Sequence, residues 1–283
     1  MRIKKMLAIL PVMCGLLLFL SPNLSAGGHF EFQVHYSKWS LNIFKSQIES
    51  ELGKALETNF KDAFIDEIHQ DYPNMEETFY EQNVTFDSGG DNYGFEIRWY
   101  PGGYKGSFSL GLSVEKTSLM VGLPNISAQL DLQDLQTGDT ASFAAAVNNA
   151  EFRLSALSFH LGFQLDIFPS WVIHPFMSFG AGAAFNDVLG NAQYSYSWTG
   201  DLIISGQQPE NYGGSDTKTV QELKDELEAE GEEFPVPDLL FQVFPFVEFS
   251  IGLKAAFIRN LHFMVEAGFF NGFIIRGGVA LRI

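Results

Sequence analysis

The sequence predicts an all-β protein: an eight-stranded antiparallel up-and-down transmembrane β-barrel with two helix-containing extracellular loops. Three observations lead to this fold class. Apolar and polar residues alternate in the strand segments, the connections are short at one end and long at the other, and an export signal precedes them. A barrel in lipid carries apolar side chains outside and polar side chains inside. The last segment of the chain shows that pattern most clearly.

Residues 261–283 form two alternating segments joined by an Asn-Gly turn. In these segments Glu266 and Arg276 share one face, and the opposite face is aliphatic and aromatic. A two-residue turn would direct Arg276 into lipid, at about 2–4 kcal/mol for an arginine at the bilayer midplane. We therefore predict a three-residue loop at 270–272 with Gly272 in the left-handed conformation. Glu266 and Arg276 then meet inside the barrel.

The N-terminal segment is typical of a secretory signal peptide. Basic residues are followed by an apolar run over 6–20 and then by small residues up to Ala26. That run is short for a bilayer span. The predicted organisation is a signal peptide over 1–26 and a barrel domain over 27–283, located in the bacterial outer membrane after export through the periplasm. The only cysteine, Cys14, falls in the signal, so the mature chain is expected to have no disulfide.

The formal charge of −17 is concentrated in two segments. Residues 43–92 hold twelve acidic residues and three lysines, and residues 201–238 hold eleven acidic residues and two lysines. The predicted strands outside these segments are close to neutral. Surfaces of this kind repel phosphate, so nucleic acid is excluded as a partner.

Eight strands are predicted from the alternation. They cover residues 29–41, 93–100, 107–116, 152–168, 174–186 and 239–257, and the final pair within 261–283. With both chain ends in the periplasm, the short turns near 102, 170 and 259 are periplasmic, and the long loops are external, at about 43–92, 119–149 and 187–238. The alternation changes parity near Lys38, which a bulge or the membrane rim would explain.

Two helices are predicted in the long loops. Apolar residues recur every fourth position from Phe44 to Ile68, which predicts an amphipathic helix of about seven turns. This helix either folds over the barrel mouth and shields the strand rims, or lies in the outer leaflet or on a partner. A shorter helix is predicted over 217–230. Phe60 and Phe64 are the residues expected at the mouth for an apolar ligand.

The candidate functional residues are the ionisable side chains that the alternation directs into the lumen. They are Glu31, His35, Glu96, Arg98, Glu115, His160, Asp166, Glu248, Lys254, His262, Glu266, Arg276 and Arg282. Side chains can fill the interior of an eight-stranded barrel, and buried charges must pair there. The two interpretations are a salt-bridged plug and a gate whose ion pairs exchange to open a narrow pore. No metal ligand set is predicted.

The sequence resembles a family of small bacterial outer-membrane barrels, the OmpX/OmpW-like type. The similar stretches are FDSGGDNYGFEIRWYPGGYKGSFSLGLSVEKT at 86–117, HPFMSFGAGAAF at 174–185 and the terminal FIIRGGVALRI. The resemblance covers the strands and not the two helical insertions. It implies insertion by the barrel assembly machinery and, as in some relatives, passage or binding of small apolar molecules.

The expected function is a binding or structural role in the envelope, without enzymatic activity or cofactor. The expected partners are outer-membrane lipid and the assembly machinery, and the barrel is expected to be a monomer. The alternative function is a conduit or binder for small hydrophobic molecules. A third, more distant alternative is an outer-membrane hydrolase, because Ser158, His160 and Asp166 share the inner face of one strand. The alternative fold is a water-soluble β-barrel.

Overall fold

The computed structural model describes residues 28–185, 187–231, 234 and 236–283. The predicted signal peptide over 1–26, with Cys14, lies outside the described residues. Five further residues lie in helices, and their side chains are not described: 59, 60, 63, 67 and 238. Among the helices that the structure describes, none is both long and apolar enough to cross a bilayer.

The described chain forms one antiparallel sheet of ten strands and four α-helices. The strands are β1 (His29–Ser40), β2 (Met75–Tyr100), β3 (Phe108–Asp134), β4 (Thr140–Asp166), β5 (Ile173–Phe185), β6 (Gln193–Ile204), β7 (Glu210–Thr219), β8 (Val243–Ile258), β9 (Leu261–Phe270) and β10 (Phe273–Arg282). The helices are α1 (Lys45–Leu56), α2 (Asp62–Asp71), α3 (Val220–Glu230) and α4 (Asp238–Gln242). Eight strands close into a ring in the order β1-β2-β3-β4-β5-β8-β9-β10, and β10 pairs with β1. The other two, β6 and β7, extend the sheet from β4.

Side chains of the ring alternate between a buried inner face and an exposed outer face. In β1, Glu31, Gln33 and His35 are buried, whereas the intervening Val34 is 56% exposed. Large apolar side chains dominate the outer face. Those more than a third exposed include Phe95, Ile97, Leu112, Phe159, Leu161, Phe163, Phe179, Val247, Phe249, Ile251, Leu253, Val265, Ile275 and Leu281. The polarity is therefore the reverse of a sheet in water, since apolar groups face out and charged groups face in.

The inner face continues through Trp39, where the sequence suggests a bulge or the membrane rim. β1 pairs with β2 and with β10 up to Trp39 without a register shift, so the predicted bulge is wrong. The Trp39 side chain is buried, and its Nε1 donates a hydrogen bond to the carbonyl oxygen of Phe270 at 3.0 Å. The change of parity in the sequence arises because the inner face itself changes from charged to apolar at this end of the ring.

An apolar cluster fills the ring at the end opposite the chain termini. Its buried members are Trp39, Leu154, Ala156, Ala184, Val188, Ala192, Val220, Phe241, Phe246, Phe270 and Ile274. Four of these, Val188, Ala192, Val220 and Phe241, come from the connection between β5 and β8. That connection therefore folds back over the ring and contributes to its core.

Of the two helices in this connection, α3 lies in a segment predicted to be helical and α4 lies in a segment predicted to be a strand. α3 begins with a capping box in which the Thr219 hydroxyl accepts from the Glu222 N–H at 3.2 Å. In return, the Thr219 N–H donates to the Glu222 carboxylate and lowers the pKa of that carboxyl. α4 occupies residues that the alternation assigns to the sixth ring strand, which begins at Val243 instead of Leu239. The prediction is wrong there because Phe241 packs into the apolar cluster and does not face outward.

The closing hairpin has the predicted length and a different left-handed residue. Phe269 pairs with Phe273, so residues 270–272 form a three-residue loop as expected. The positive φ of 46° belongs to Asn271, and Gly272 does not adopt the left-handed conformation. The Asn271 side chain forms two hydrogen bonds to the backbone of β8, and these bonds hold it in that conformation.

Gly272 is required by the close approach of Trp39. A β-carbon at Gly272 would lie 2.2 Å from Nε1 of Trp39, a ring that is buried and held by its hydrogen bond. We expect Gly272→Ala to lower the free energy of unfolding by about 1–3 kcal/mol, as overpacking in a core does. Gly89→Ala is the control, because a β-carbon there has no neighbour within 4 Å. Equal urea midpoints for the two variants in detergent would contradict this packing.

Three ring strands continue beyond the ring as a projecting sheet, which consists of residues 75–89, 119–134 and 140–153 together with β6 and β7. β2, β3 and β4 contain 26, 27 and 27 residues, about 85–90 Å at ~3.3 Å per residue. Strands therefore occupy 75–92 of the predicted loop at 43–92, most of the loop at 119–149, and 193–204 and 210–219 of the loop at 187–238, so those loop boundaries are wrong. β7 carries polar and small residues on both faces, so it lacks the alternation that identifies the ring strands, whereas in β3 buried Ala128, Leu130 and Leu132 alternate with polar residues over a short stretch.

α1 and α2, joined by a π-helical turn at Glu57–Lys61, lie on the projecting sheet. The Glu49 carboxylate accepts a hydrogen bond from the backbone N–H of Phe86 at 2.8 Å. Ile68 is buried in an apolar cluster with Leu130 of β3. These helices occupy the predicted amphipathic segment. However, they cover the projecting strands, whereas one interpretation of the sequence places the helix over the opening of the ring. The apolar cluster closes that opening.

Candidate functional site

All thirteen predicted interior residues are buried in the ring, each less than a tenth exposed. They form two groups along the ring axis. The terminal cluster, near the chain ends, contains Glu31, Asp166, Lys254, His262 and Arg282. The central cluster, between the terminal cluster and the apolar cluster, contains His35, Glu96, Arg98, Glu115, His160, Glu248, Glu266 and Arg276.

The terminal cluster is a closed set of ion pairs. Glu31 accepts from Lys254 Nζ at 2.9 Å and from the Arg282 guanidinium at 2.8 Å. Asp166 lies 3.4 Å from Arg282 and 3.9 Å from Lys254. Two carboxylates thus face two cations, and His262 Nδ1 lies 3.5 Å from Glu31. The charges of this cluster balance without a further ion.

The structure adds two residues to the terminal cluster that the sequence analysis does not select. The Tyr100 hydroxyl lies 3.0 Å from Lys254 Nζ, and the Arg282 guanidinium lies 3.8 Å from the centre of the Tyr100 ring. His174 Nε2 lies 3.9 Å from Asp166. Both residues have the parity of their inward-facing strand neighbours, so the alternation contains the signal that would have found them.

Arg276 is the centre of the second cluster. Its guanidinium contacts Glu248 and Glu266, the latter at 3.0 Å, and lies 3.5 Å from Glu115. Its Nε donates to Ser37 at 2.8 Å. Glu266 and Arg276 are directly paired across β9 and β10, which places them together as the sequence analysis expects.

Neutral side chains complete the hydrogen bonds of the central carboxylates. The Asn92 amide donates to Glu115 at 2.7 Å, and the Ser250 hydroxyl donates to Glu266 at 2.6 Å. Glu96 pairs with Arg98 at 2.9 Å. Such bonds offset part of the desolvation that burial imposes on a carboxylate.

The central cluster has more acids than bases. It holds four carboxylates and two guanidinium groups, together with two histidines. With all four carboxylates ionised and both imidazoles neutral, two negative charges have no positive partner. Buried charge is expensive unless it is compensated, so this cluster differs in kind from the balanced terminal cluster. The alternation alone does not reveal the difference, because it depends on which inward residues lie side by side.

Little space is left in the ring. The central cluster encloses a cavity of about 10 Å³ lined by residues including Glu115, His160, Glu248 and Arg276. That volume is close to the smallest that holds one water molecule. The arrangement matches the salt-bridged plug better than an open channel.

Phe64, one of the two residues predicted to bind an apolar ligand at the mouth, does not lie there. Phe64 stacks on Phe143 of the projecting sheet, with ring centroids 4.5 Å apart, and packs against the cluster around Ile68. The side chain of Phe60 lies outside the described part of the structure. Phe64 is thus a packing residue of the projecting sheet, and the prediction of its position is wrong.

Ser158 and His160 are close, and Asp166 is separate from them. The Ser158 hydroxyl lies 2.7 Å from His160 Nε2, and both side chains are buried. The His160 ring lies 5.6 Å from the ring of Phe246 and 5.3 Å from that of Phe270. Asp166 pairs with Arg282 in the terminal cluster. The three residues therefore do not form a catalytic triad.

Comparison with known proteins identifies no family. No protein-family model and no curated protein matches the chain. Solved structures that match include the translocator domain of the autotransporter NalP from Neisseria meningitidis, with 9% identity, 99% of this chain and 97% of that chain covered, and a TM-score of 0.24. The transport unit of the autotransporter AIDA-I from Escherichia coli matches with 8% identity, coverage of 92% and 90%, and a TM-score of 0.20. The β-domain of the Bordetella autotransporter BrkA matches with 9% identity, coverage of 91% of this chain and 99% of that chain, and a TM-score of 0.23.

TM-scores of this size carry no argument about function, and the transport named for those proteins is not transferred to this chain. The OmpX/OmpW-like resemblance stays a prediction, since no family model supports it. The apolar outer surface and the charged interior of the ring are therefore the features that bear on function.

Proposed function

We propose that the chain is an integral β-barrel protein of the bacterial outer membrane, in which a closed, plugged barrel carries the projecting sheet at the cell surface. Its role is binding or structural, and it is not an enzyme. The observation that carries the proposal is the reversed polarity of the eight-stranded ring. Apolar side chains cover the outside, and ion-paired groups fill the inside.

The dimensions of the ring support a membrane location. Five ring strands do not enter the projecting sheet: β1, β5, β9 and β10 have 12, 13, 10 and 10 residues, and β8 has 16. A tilted transmembrane strand needs about 9–11 residues. Closure of the ring pairs every strand edge within it, which a structure in hydrocarbon requires.

The connections support one orientation. At the end of the ring with the chain termini, the strands are joined by short segments at 101–107, 167–172 and 259–260. The opposite end carries the projecting sheet. Outer-membrane barrels have short periplasmic turns and longer extracellular segments, so the projecting sheet belongs outside the cell.

The plugged interior supports a binding or structural role over conduction. The terminal cluster, the central cluster and the apolar cluster occupy successive levels of the ring. The alternative function, a conduit for hydrophobic molecules, has no such support in the described residues. Phe64, which is expected from the sequence to contact an apolar ligand at the mouth, stacks on Phe143 of the projecting sheet instead. We propose that the barrel is monomeric, is inserted by the assembly machinery, and presents its acidic projecting sheet to partners outside.

Single cysteines test this orientation, since the only natural cysteine is Cys14. Gln136 lies at the exposed tip between β3 and β4, and Lys105 lies exposed in the turn between β2 and β3. We expect a membrane-impermeant maleimide to label Gln136→Cys on intact cells and Lys105→Cys only after permeabilisation. Labelling of Lys105→Cys on intact cells, or no labelling of Gln136→Cys there, would contradict the proposal.

A further inference from the structure

We infer that the central cluster is a binding site for one first-row divalent transition-metal ion, held by Glu115, His160 and Glu248. Each of these residues offers one ligand atom, and the three atoms lie within 4.8 Å of one another. They come from β3, β4 and β8 and are all buried. This site goes beyond the proposed envelope role and does not depend on it.

The histidines supply an observation independent of the acidic residues. His160 Nε2 contacts the Ser158 hydroxyl, and this contact fixes the ring, whereas its buried Nδ1 has no hydrogen-bond partner. His35 Nε2 is also buried without a hydrogen bond and lies 3.5 Å from a Glu115 oxygen, and in the terminal cluster His174 Nε2 and both ring nitrogens of His262 likewise have no hydrogen-bond partner. A buried polar nitrogen without a partner is rare and costly in a folded protein. Coordination of His160 Nδ1 to a metal would remove that cost.

The charge of the cluster matches a divalent cation. When all four carboxylates are ionised, two negative charges remain after the guanidinium groups of Arg98 and Arg276 are counted against them. The terminal cluster, which is equally buried, has no such excess. A cation with two positive charges would balance the central cluster without protonation of a carboxylate.

The cavity is at the position that the ion would occupy, and Arg276 leaves one oxygen of Glu248 available to bind it. The cavity of about 10 Å³ is lined by all three proposed ligands. Arg276 contacts Oε1 of Glu248, so Oε2 of that carboxylate can bind the metal. Small shifts would bring the ligand atoms to the roughly 2.0–2.2 Å that zinc requires from nitrogen and oxygen.

The ligand types select the class of metal. One imidazole with two carboxylates suits Zn²⁺ and related first-row ions, whereas Mg²⁺ and Ca²⁺ prefer oxygen ligands alone. Three protein ligands leave a fourth coordination position open. No metal site is predicted from the sequence, because the three ligands lie on three different strands and form no short sequence motif.

The test is the metal content of the mature chain refolded in detergent with excess Zn²⁺ and then dialysed. We expect one tightly bound Zn²⁺ per wild-type chain and its loss in His160→Gln and Glu248→Gln. His174→Gln is the matched control, since His174 is equally buried but belongs to the balanced terminal cluster. Co²⁺ in place of Zn²⁺ should give visible absorption bands in wild type and in His174→Gln, and not in the other two.

The wild-type measurement decides the question even if a variant fails to fold. Wild-type chains without bound Zn²⁺ or Co²⁺, and with a urea midpoint that neither ion raises, would overturn the inference. That result would show that protons, and not a metal, neutralise the excess charge. Equal metal loss in His174→Gln and His160→Gln would also overturn it, because the site would then lie elsewhere.

Discussion

Replacement of Arg276 by methionine is expected to lower the free energy of unfolding by at least about 3–5 kcal/mol, the usual effect of removing one partner from a buried ion pair. Arg276 contacts Glu248 and Glu266 and lies 3.5 Å from Glu115, all of them buried. The variant would leave these carboxylates beside a thioether instead of a guanidinium. Urea unfolding in detergent micelles, followed by tryptophan fluorescence, measures the change.

Two further variants distinguish charge burial from loss of a side chain. Arg153 forms a bidentate pair with Glu151, but its side chain is 65% exposed, so Arg153→Met should change stability by about 1 kcal/mol or less. Adding Glu266→Gln to Arg276→Met removes one uncompensated charge and should restore part of the loss. Similar losses for Arg276→Met and Arg153→Met would contradict the plug.

Replacement of Ile251 by arginine is the second change with a large expected effect. Ile251 lies on the outer face of β8 and is 58% exposed. In a bilayer this side chain contacts hydrocarbon, so the substitution should cost about 2–4 kcal/mol near the midplane. Unfolding in lipid vesicles and the fraction of protein inserted on refolding measure the effect.

Ile203 provides the matched control. It is 51% exposed and lies on β6 of the projecting sheet, where the proposal places water. Ile203→Arg should be within about 0.5 kcal/mol of wild type, as exposed surface substitutions usually are. In a water-soluble barrel the two substitutions would have equally small effects, so equal results would favour that alternative fold.

The ring was predictable because its outer face is apolar and its inner face is polar, which gives its strands a strict period of two. Glu96 and Arg98 alternate with outward Ile97, and that pattern identifies the strand and its inner face together. Trp39 marks the limit of this inference. Its parity belongs to the inner face, but its apolar character suggests the outer face, because the ring is apolar inside at that end.

The projecting sheet could not be predicted by the same rule. Its strands lie beyond the ring, and in β7 residues such as Ser215, Asp216 and Thr217 give no contrast between the two faces. β6 and β7 pair with β4 and with each other only through long-range register. Glycines and polar residues therefore predict a loop where the structure has strands.

The composition of the interior site was predictable, and its grouping was not. Alternation directs the thirteen ionisable residues inward, and the pairing of Glu266 with Arg276 follows from one hairpin. The association of Glu115 with His160 and Glu248 depends on the register of three strands and on ring closure. The charge imbalance of the central cluster is visible only once those contacts are known.

Proteolysis of the protein in lipid vesicles tests the transmembrane barrel most directly. Residues 243–283 contain β8, β9 and β10, which are neighbours in the ring. Short connections at 259–260 and 271–272 join them, one at each end of the ring. We predict that added protease cuts within the segment of α1 and α2 and leaves residues 243–283 as one protected fragment, and that denaturation before digestion removes the protection. Cleavage within residues 243–283 at the same rate in vesicles and after denaturation would contradict the transmembrane barrel.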